Sequence, residues 1–86
     1  MQIDSQLILA LLDQYGIQSA PIEAMSSLDQ KSYLSELNFI LHLFPTDRLA
    51  ERLNFLRKCS QAYAMQDRRQ RDQALERFRI EMAHVK

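Results

Sequence analysis

Two histidines, His42 and His84, and one cysteine, Cys59, are the side chains best suited to nucleophilic, acid–base or metal chemistry. A helical metal site centred on His42 needs a second ligand one turn away. Positions 38 and 46 hold Asn38 and Thr46 instead. Acid–base catalysis needs groups with shifted pKa values held together in a pocket, and the two histidines fall in different predicted helices. Cys59 sits beside Leu56 and Tyr63 in a helical pattern, where a free cysteine behaves as a small apolar residue. Gly16 is the only glycine, so no Gly-rich loop exists to cradle phosphate. These residues predict a non-enzyme with no metal, no cofactor and no small-molecule substrate.

The next candidates are arginines. Arg68, Arg69 and Arg71, followed by Arg77 and Arg79, cluster among Gln66, Gln70 and Gln73, and guanidinium groups suit phosphates and base edges. Asp67, Asp72, Glu76 and Glu81 are interleaved with them. Asp67–Arg71, Arg68–Asp72 and Arg77–Glu81 are i,i+4 pairs of the kind that stabilise an exposed helix. The aromatic interleaving of a single-strand binder is missing. A helix-turn-helix is weakly supported, because the turn lacks glycine and the next helix opens with Asp47, Arg48, Glu51 and Arg52, a mixed-charge surface. Nucleic-acid binding through Arg68, Arg69 and Arg71 is therefore the alternative expectation, behind a solvated helix face.

The elements that carry these residues are helices. Helix one is predicted over about 4–15, with Asp4 or Ser5 as N-cap and Gly16 at the left-handed C-terminal position. Ala10, Leu7, Leu11, Tyr15, Ile8 and Leu12 form one broad stripe, with Leu9 just beyond its edge. The run Leu7–Leu12 is too short to span a bilayer and is not preceded by basic residues, which predicts a buried helix. Pro21 can start a short helix through Met25. Helix two is predicted over about 28–44, opened by a Ser27–Gln30 capping box and ended by Pro45. Tyr33, Leu34, Leu37, Ile40, Leu41 and Phe44 share one face, while Leu28, Phe39 and Leu43 point away from it. Thr46 is the expected N-cap of helix three, in which Leu49, Leu53, Leu56 and Tyr63 follow a 4-3 spacing around Ser60. The short link at Pro45 makes helices two and three a hairpin.

Residues 66–73 lack any apolar side chain, after which Leu75, Phe78, Met82 and Val85 resume the spacing one residue out of phase. Either a turn intervenes or one helix runs from about 46 to 85. The absence of Gly and Pro from 46–86 favours the continuous helix, which would reach roughly 60 Å at about 1.5 Å per residue. The expected architecture is all-α: three to four helices, with 1–65 as the core bundle and 66–86 as a charged helical extension.

With 86 residues this is one domain. A chain so short buries only roughly 60% of its unfolded surface, yet 47% of its residues are apolar. The formal net charge is zero, divided between −4 for residues 1–45 and +4 for 46–86, so the halves attract each other within or between chains. A zero total lacks the dominant field of one sign that nonspecific nucleic-acid or membrane binding needs. A single cysteine points to a reducing, cytoplasmic setting.

Five apolar residues fall off the main stripe of their helices: Leu9, Phe39, Leu43, Phe55 and Ile80. Singly, exposed apolar residues are ordinary. Together, in a domain with a thin interior, they predict a partner surface. The expected function is that of a protein-binding adaptor, small chaperone or regulator, as a homodimer, docking through these residues.

Overall fold

The computed structural model describes residues 5–85. Among them are four α-helices and no strand: α1 (Ser5–Gln14), α2 (Ser27–Leu43), α3 (Leu49–Ala64) and α4 (Arg68–Val85), with 3-10 turns at Ile22–Ala24 and Thr46–Arg48. The chain is all-α, as its composition and periodicity require. Helix α3 packs against both α2 and α4, and α1 packs against α2.

Each boundary has a local cause. Gly16 ends α1 at φ 72°. The Ile17 amide donates to Leu12 O over 2.8 Å and the Gly16 amide to Asp13 O over 3.0 Å, the paired bonds of a Schellman stop, with Ile17 buried beside Leu12. Asp4 lies outside the described residues. The cap of α2 is one residue earlier than expected: Ser26, not Ser27, accepts from the Asp29 amide over 3.2 Å. Gln30 is thereby released from a capping box and donates to Ile22 O and Met25 O, tying the connector to α2. Thr46 does not cap α3 but opens the 3-10 turn, in which the Arg48 amide bonds Pro45 O.

The continuous helix over 46–85 does not form. Met65 is extended, and Asp67 starts a new helix by accepting from the Arg69 and Gln70 amides at 2.9 and 3.3 Å. Arg71 donates to Tyr63 O and Met65 O, satisfying carbonyls left open at the end of α3. The radius of gyration is 12.1 Å and the extents are 34 × 28 × 24 Å. The charged helix folds back on α3, and Leu75, Phe78 and Met82 enter the common core.

The expected i,i+4 pairs are replaced by contacts between elements. Asp67 caps a helix, Arg71 and Arg68 reach Asp29, Arg79 reaches Glu36, and Lys58 pairs with Glu81. The acidic first half and basic second half thus meet within one molecule, along α2 and α4. A single buried hydroxyl cluster crosses the core. Tyr33, fully buried, shares a 2.7 Å hydrogen bond with Ser60 Oγ and accepts from the Ala20 amide over 3.1 Å. That network explains a serine in the apolar seam of α3, because a buried hydroxyl needs a partner.

Candidate docking surface

The five off-stripe residues have different fates. Phe55 is a correction: it is 2% exposed and stacks on Phe44 at a centroid distance of 5.1 Å. Its helix has neighbours on two sides, so the buried arc of α3 is wider than the one stripe read from its spacing. Lys58, one turn on, reaches Glu81 of α4, which turns the Phe55 side of α3 toward α4. Leu9 is also corrected in part, being half-buried against the core on α1, where Ile8 and Leu12 are the inward residues. A helix apolar around most of its circumference does not itself specify which arc faces in, and here Leu7 is left outside.

Leu43 and Phe39 line one hollow, and Ile80 does not join them. Helices α2 and α4 flank α3 and run parallel to each other, as the Asp29–Arg71 and Glu36–Arg79 pairs show. They touch each other little. Between them lies a hollow of about 270 Å³ lined by Glu36, Phe39, Leu43, Arg79, Met82 and Ala83. Phe39 is 45% and Ile80 52% exposed. Ile80 lies roughly 60° round α4 beyond Ala83 and nearly opposite the buried Leu75, Phe78 and Met82, on the outer face of the helix and outside the hollow. Leu43 packs against the core and Met82 is buried. Toward the N-terminal ends of the two helices the seam becomes polar, lined by Ser32, Ser35 and Tyr63.

The Glu36–Arg79 pair, at 2.6 Å, supplies both charges that line the apolar hollow, so the hollow is electrically balanced. Its hydrogen bond to Glu36 raises the Arg79 pKa further, against a smaller opposing effect of burial. Burial, aided by Glu36, pushes the Cys59 thiol far above its ordinary 9.0 and the Tyr63 hydroxyl up to about 12. Cys59 is therefore a protonated core thiol at neutral pH. Its charged neighbours are Glu36 and Arg79, while His42 is exposed and bonds Asn38 O; the two are not assembled as a nucleophile and base.

The chain was compared with protein-family models, with curated proteins and with solved structures. Nothing matches. The chemistry of the surface is then the guide to function.

The arginine cluster is broken up by the fold. The Arg71 side chain is 15% exposed and is held by Asp29 and the end of α3, so it is corrected from a phosphate ligand to a helix clamp. Arg68 is 74% exposed and lies 3.7 Å from Asp29, and Arg69 is exposed beside it. Arg52, another arginine of the basic half, also closes a helix end: it donates to Phe44 O and Leu41 O of α2 and to the Tyr15 hydroxyl of α1.

Sequence reasoning did not single out Leu7, Leu28, Leu49 and Val85 as exposed, at 55%, 72%, 44% and 40%. Leu7 and Leu49 fit the predicted inward stripes, and Val85 belongs to a stripe that could either fold back or pair with another chain. No helix among the described residues is long and apolar enough to cross a membrane.

Proposed function

We propose that this protein is a non-enzymatic docking module, an adaptor or regulator that holds another polypeptide in the groove between α2 and α4. One observation carries the reading. Phe39 of α2 stands exposed at a hollow whose apolar walls come from two helices, Leu43 from α2 and Met82 and Ala83 from α4, with Glu36 and Arg79 as its balanced charges. Leu7 on α1, Leu28 at the start of α2, Leu49 at the start of α3 and Ile80 on the outer face of α4 are exposed away from this hollow, as scattered apolar residues in small proteins commonly are. A contiguous apolar patch that joins two helices is what a helical ligand covers. Phe39 is already about half covered, so covering the rest contributes on the order of 1 kcal/mol, roughly half the value for a fully exposed side chain.

The test is a photo-crosslinking amino acid placed in living cells at Phe39, at Ala83 and, as control, at Leu7. Adducts at the first two positions and not at the third support the groove. No adduct at any position, or equal capture at Leu7, removes the proposal.

A further inference from the structure

We infer that a second surface, a trough between the α1–α2 connector and α3, takes an acidic polypeptide segment in extended form. Two hollows lie end to end there. One, of about 510 Å³, is lined by residues 16–19, Arg57, Ser60 and Gln61. The other, of about 300 Å³, is lined by Met25, Asp29, Met65 and Arg71 among others. Pro21 and Ala64 belong to both, which makes them one trough. Alongside α3, from Arg57 to Ala64, it runs for roughly 10 Å at about 1.5 Å per residue, the span of about three extended residues. It shares no lining residue with the α2/α4 hollow, so the inference does not rest on the docking reading of that hollow.

The walls hold donors that lack acceptors. Arg57 and Gln61, one turn apart on α3, are exposed and have no hydrogen bond or ion pair among the described residues. The amides of Gln18 and Ser19 lie outside any helix and donate to nothing among those residues. On either side of them the Ile17 amide bonds Leu12 O and the Ala20 amide bonds the Tyr33 hydroxyl. At the other end of the trough Arg71 Nε is buried without an acceptor, although its Nη atoms serve Asp29, Tyr63 O and Met65 O. Buried donors are normally satisfied, and a ligand rich in acceptors supplies what this trough lacks.

Charge selects the occupant. Arg57 is the only charged residue of the first hollow, and in the second Asp29 is already paired with Arg71. Arg57 and Arg71 against Asp29 leave the trough one positive charge, carried by the unpaired guanidinium. A carboxylate matches the fork of a guanidinium, and the backbone carbonyls of an extended segment match free amides. Nucleic acid fits less well. Tyr63, the one ring in the lining, is buried and offers no stacking face, and one unpaired cation releases few counterions. The trough is also preformed: the Tyr33 hydroxyl ties the Ala20 amide to Ser60, and the stop of α1 fixes Gly16 and Ile17. Walls already in place spare a ligand the cost of ordering them.

The test is an NMR titration of the isotope-labelled full chain, at low salt, with a capped peptide of alternating alanine and glutamate. The Gln18 and Ser19 amides should shift saturably. Arg57→Ala should weaken binding roughly tenfold or more, the factor associated with one charge-assisted hydrogen bond, while Arg57→Lys weakens it less. Because Arg57 makes no contact that the fold depends on, helical circular dichroism should be unchanged. Arg77→Ala, outside the trough, should leave binding intact, and the same peptide with glutamine in place of glutamate should bind roughly tenfold more weakly or worse. No saturable shift with the glutamate peptide overturns the inference, as does equal binding of the glutamine peptide or undiminished binding by folded Arg57→Ala. Arg57-dependent binding of an oligothymidylate, with none of the glutamate peptide, overturns the acidic polypeptide and gives the trough to nucleic acid.

Discussion

The two flanks of the α2–α3 hairpin are closed by different means. On one flank, α1 and its connector are fastened by bonds with little access to water: the Ala20 amide and Ser60 on Tyr33, and Arg52 on Tyr15 and the end of α2. On the other flank, α4 is held at its core by Leu75, Phe78 and Met82, and its links to α2 are ion pairs, the half-buried Arg71–Asp29 and the more exposed Arg68–Asp29 and Arg79–Glu36, with an apolar hollow left beside them. Solvated ion pairs contribute little and weaken with salt, whereas breaking a buried hydrogen-bond network leaves unpaired groups that cost more. The first flank is built to stay shut. The second combines a packed interior with a surface that keeps an open apolar hollow.

Substitutions can break this contrast, beginning with the core that both flanks share. Phe55→Ala removes a buried ring and should destabilise by about 3–5 kcal/mol, measured by urea unfolding. Phe39→Ala in the monomer should stay within about 0.5 kcal/mol. A Phe39→Ala loss comparable to that of Phe55→Ala would mean that Phe39 belongs to the core and the groove is not free.

Alkaline titration gives the next effect. Folded Cys59 and Tyr63 both hold their protons above the ordinary values of 9.0 and 10.0. The unfolded chain therefore loses protons first as pH rises, and stability falls. The contribution of these two groups is fully present below pH 9.0; that of Tyr63 is lost between pH 10.0 and about 12. Cys59→Ser does not preserve the core, so Cys59→Ala is the comparison: it should remove the onset near pH 9, read as melting temperature against pH.

On the sealed flank, Tyr33→Phe leaves the Ala20 amide and Ser60 without their partner and should cost about 1–3 kcal/mol. Asp67→Ala removes the cap of α4 and should cost about 1 kcal/mol. Glu36→Gln, on the open flank, should cost under about 1 kcal/mol and less in high salt. Were Glu36→Gln more damaging than Tyr33→Phe in urea unfolding, the contrast between the flanks would be lost.

Much of this was legible locally. Gly16 after the first apolar run, Pro45 after the second, and the stripe Leu75, Phe78 and Met82 each carry a physical instruction within a few residues of chain. The break at 65–67 also has a local signal, Asp67 followed by Gln70 at capping-box spacing, although no Gly or Pro marks it. Of the hollow between α2 and α4, Phe39 and Leu43 could be named from helical phase; that they meet Met82 and Ala83 could not, because α2 and α4 are distant in sequence.

The amino-acid order by itself determined the helices and most of their ends, since propensity, caps and prolines act over one or two turns. Tertiary structure alone decided which arc of α1 turned inward, that α3 took neighbours on two sides and swallowed Phe55, and that Arg71 left its i−4 partner Asp67 for Asp29. Those outcomes depend on which helices come into contact, and a helix with more than one apolar arc does not carry that choice in its own residues.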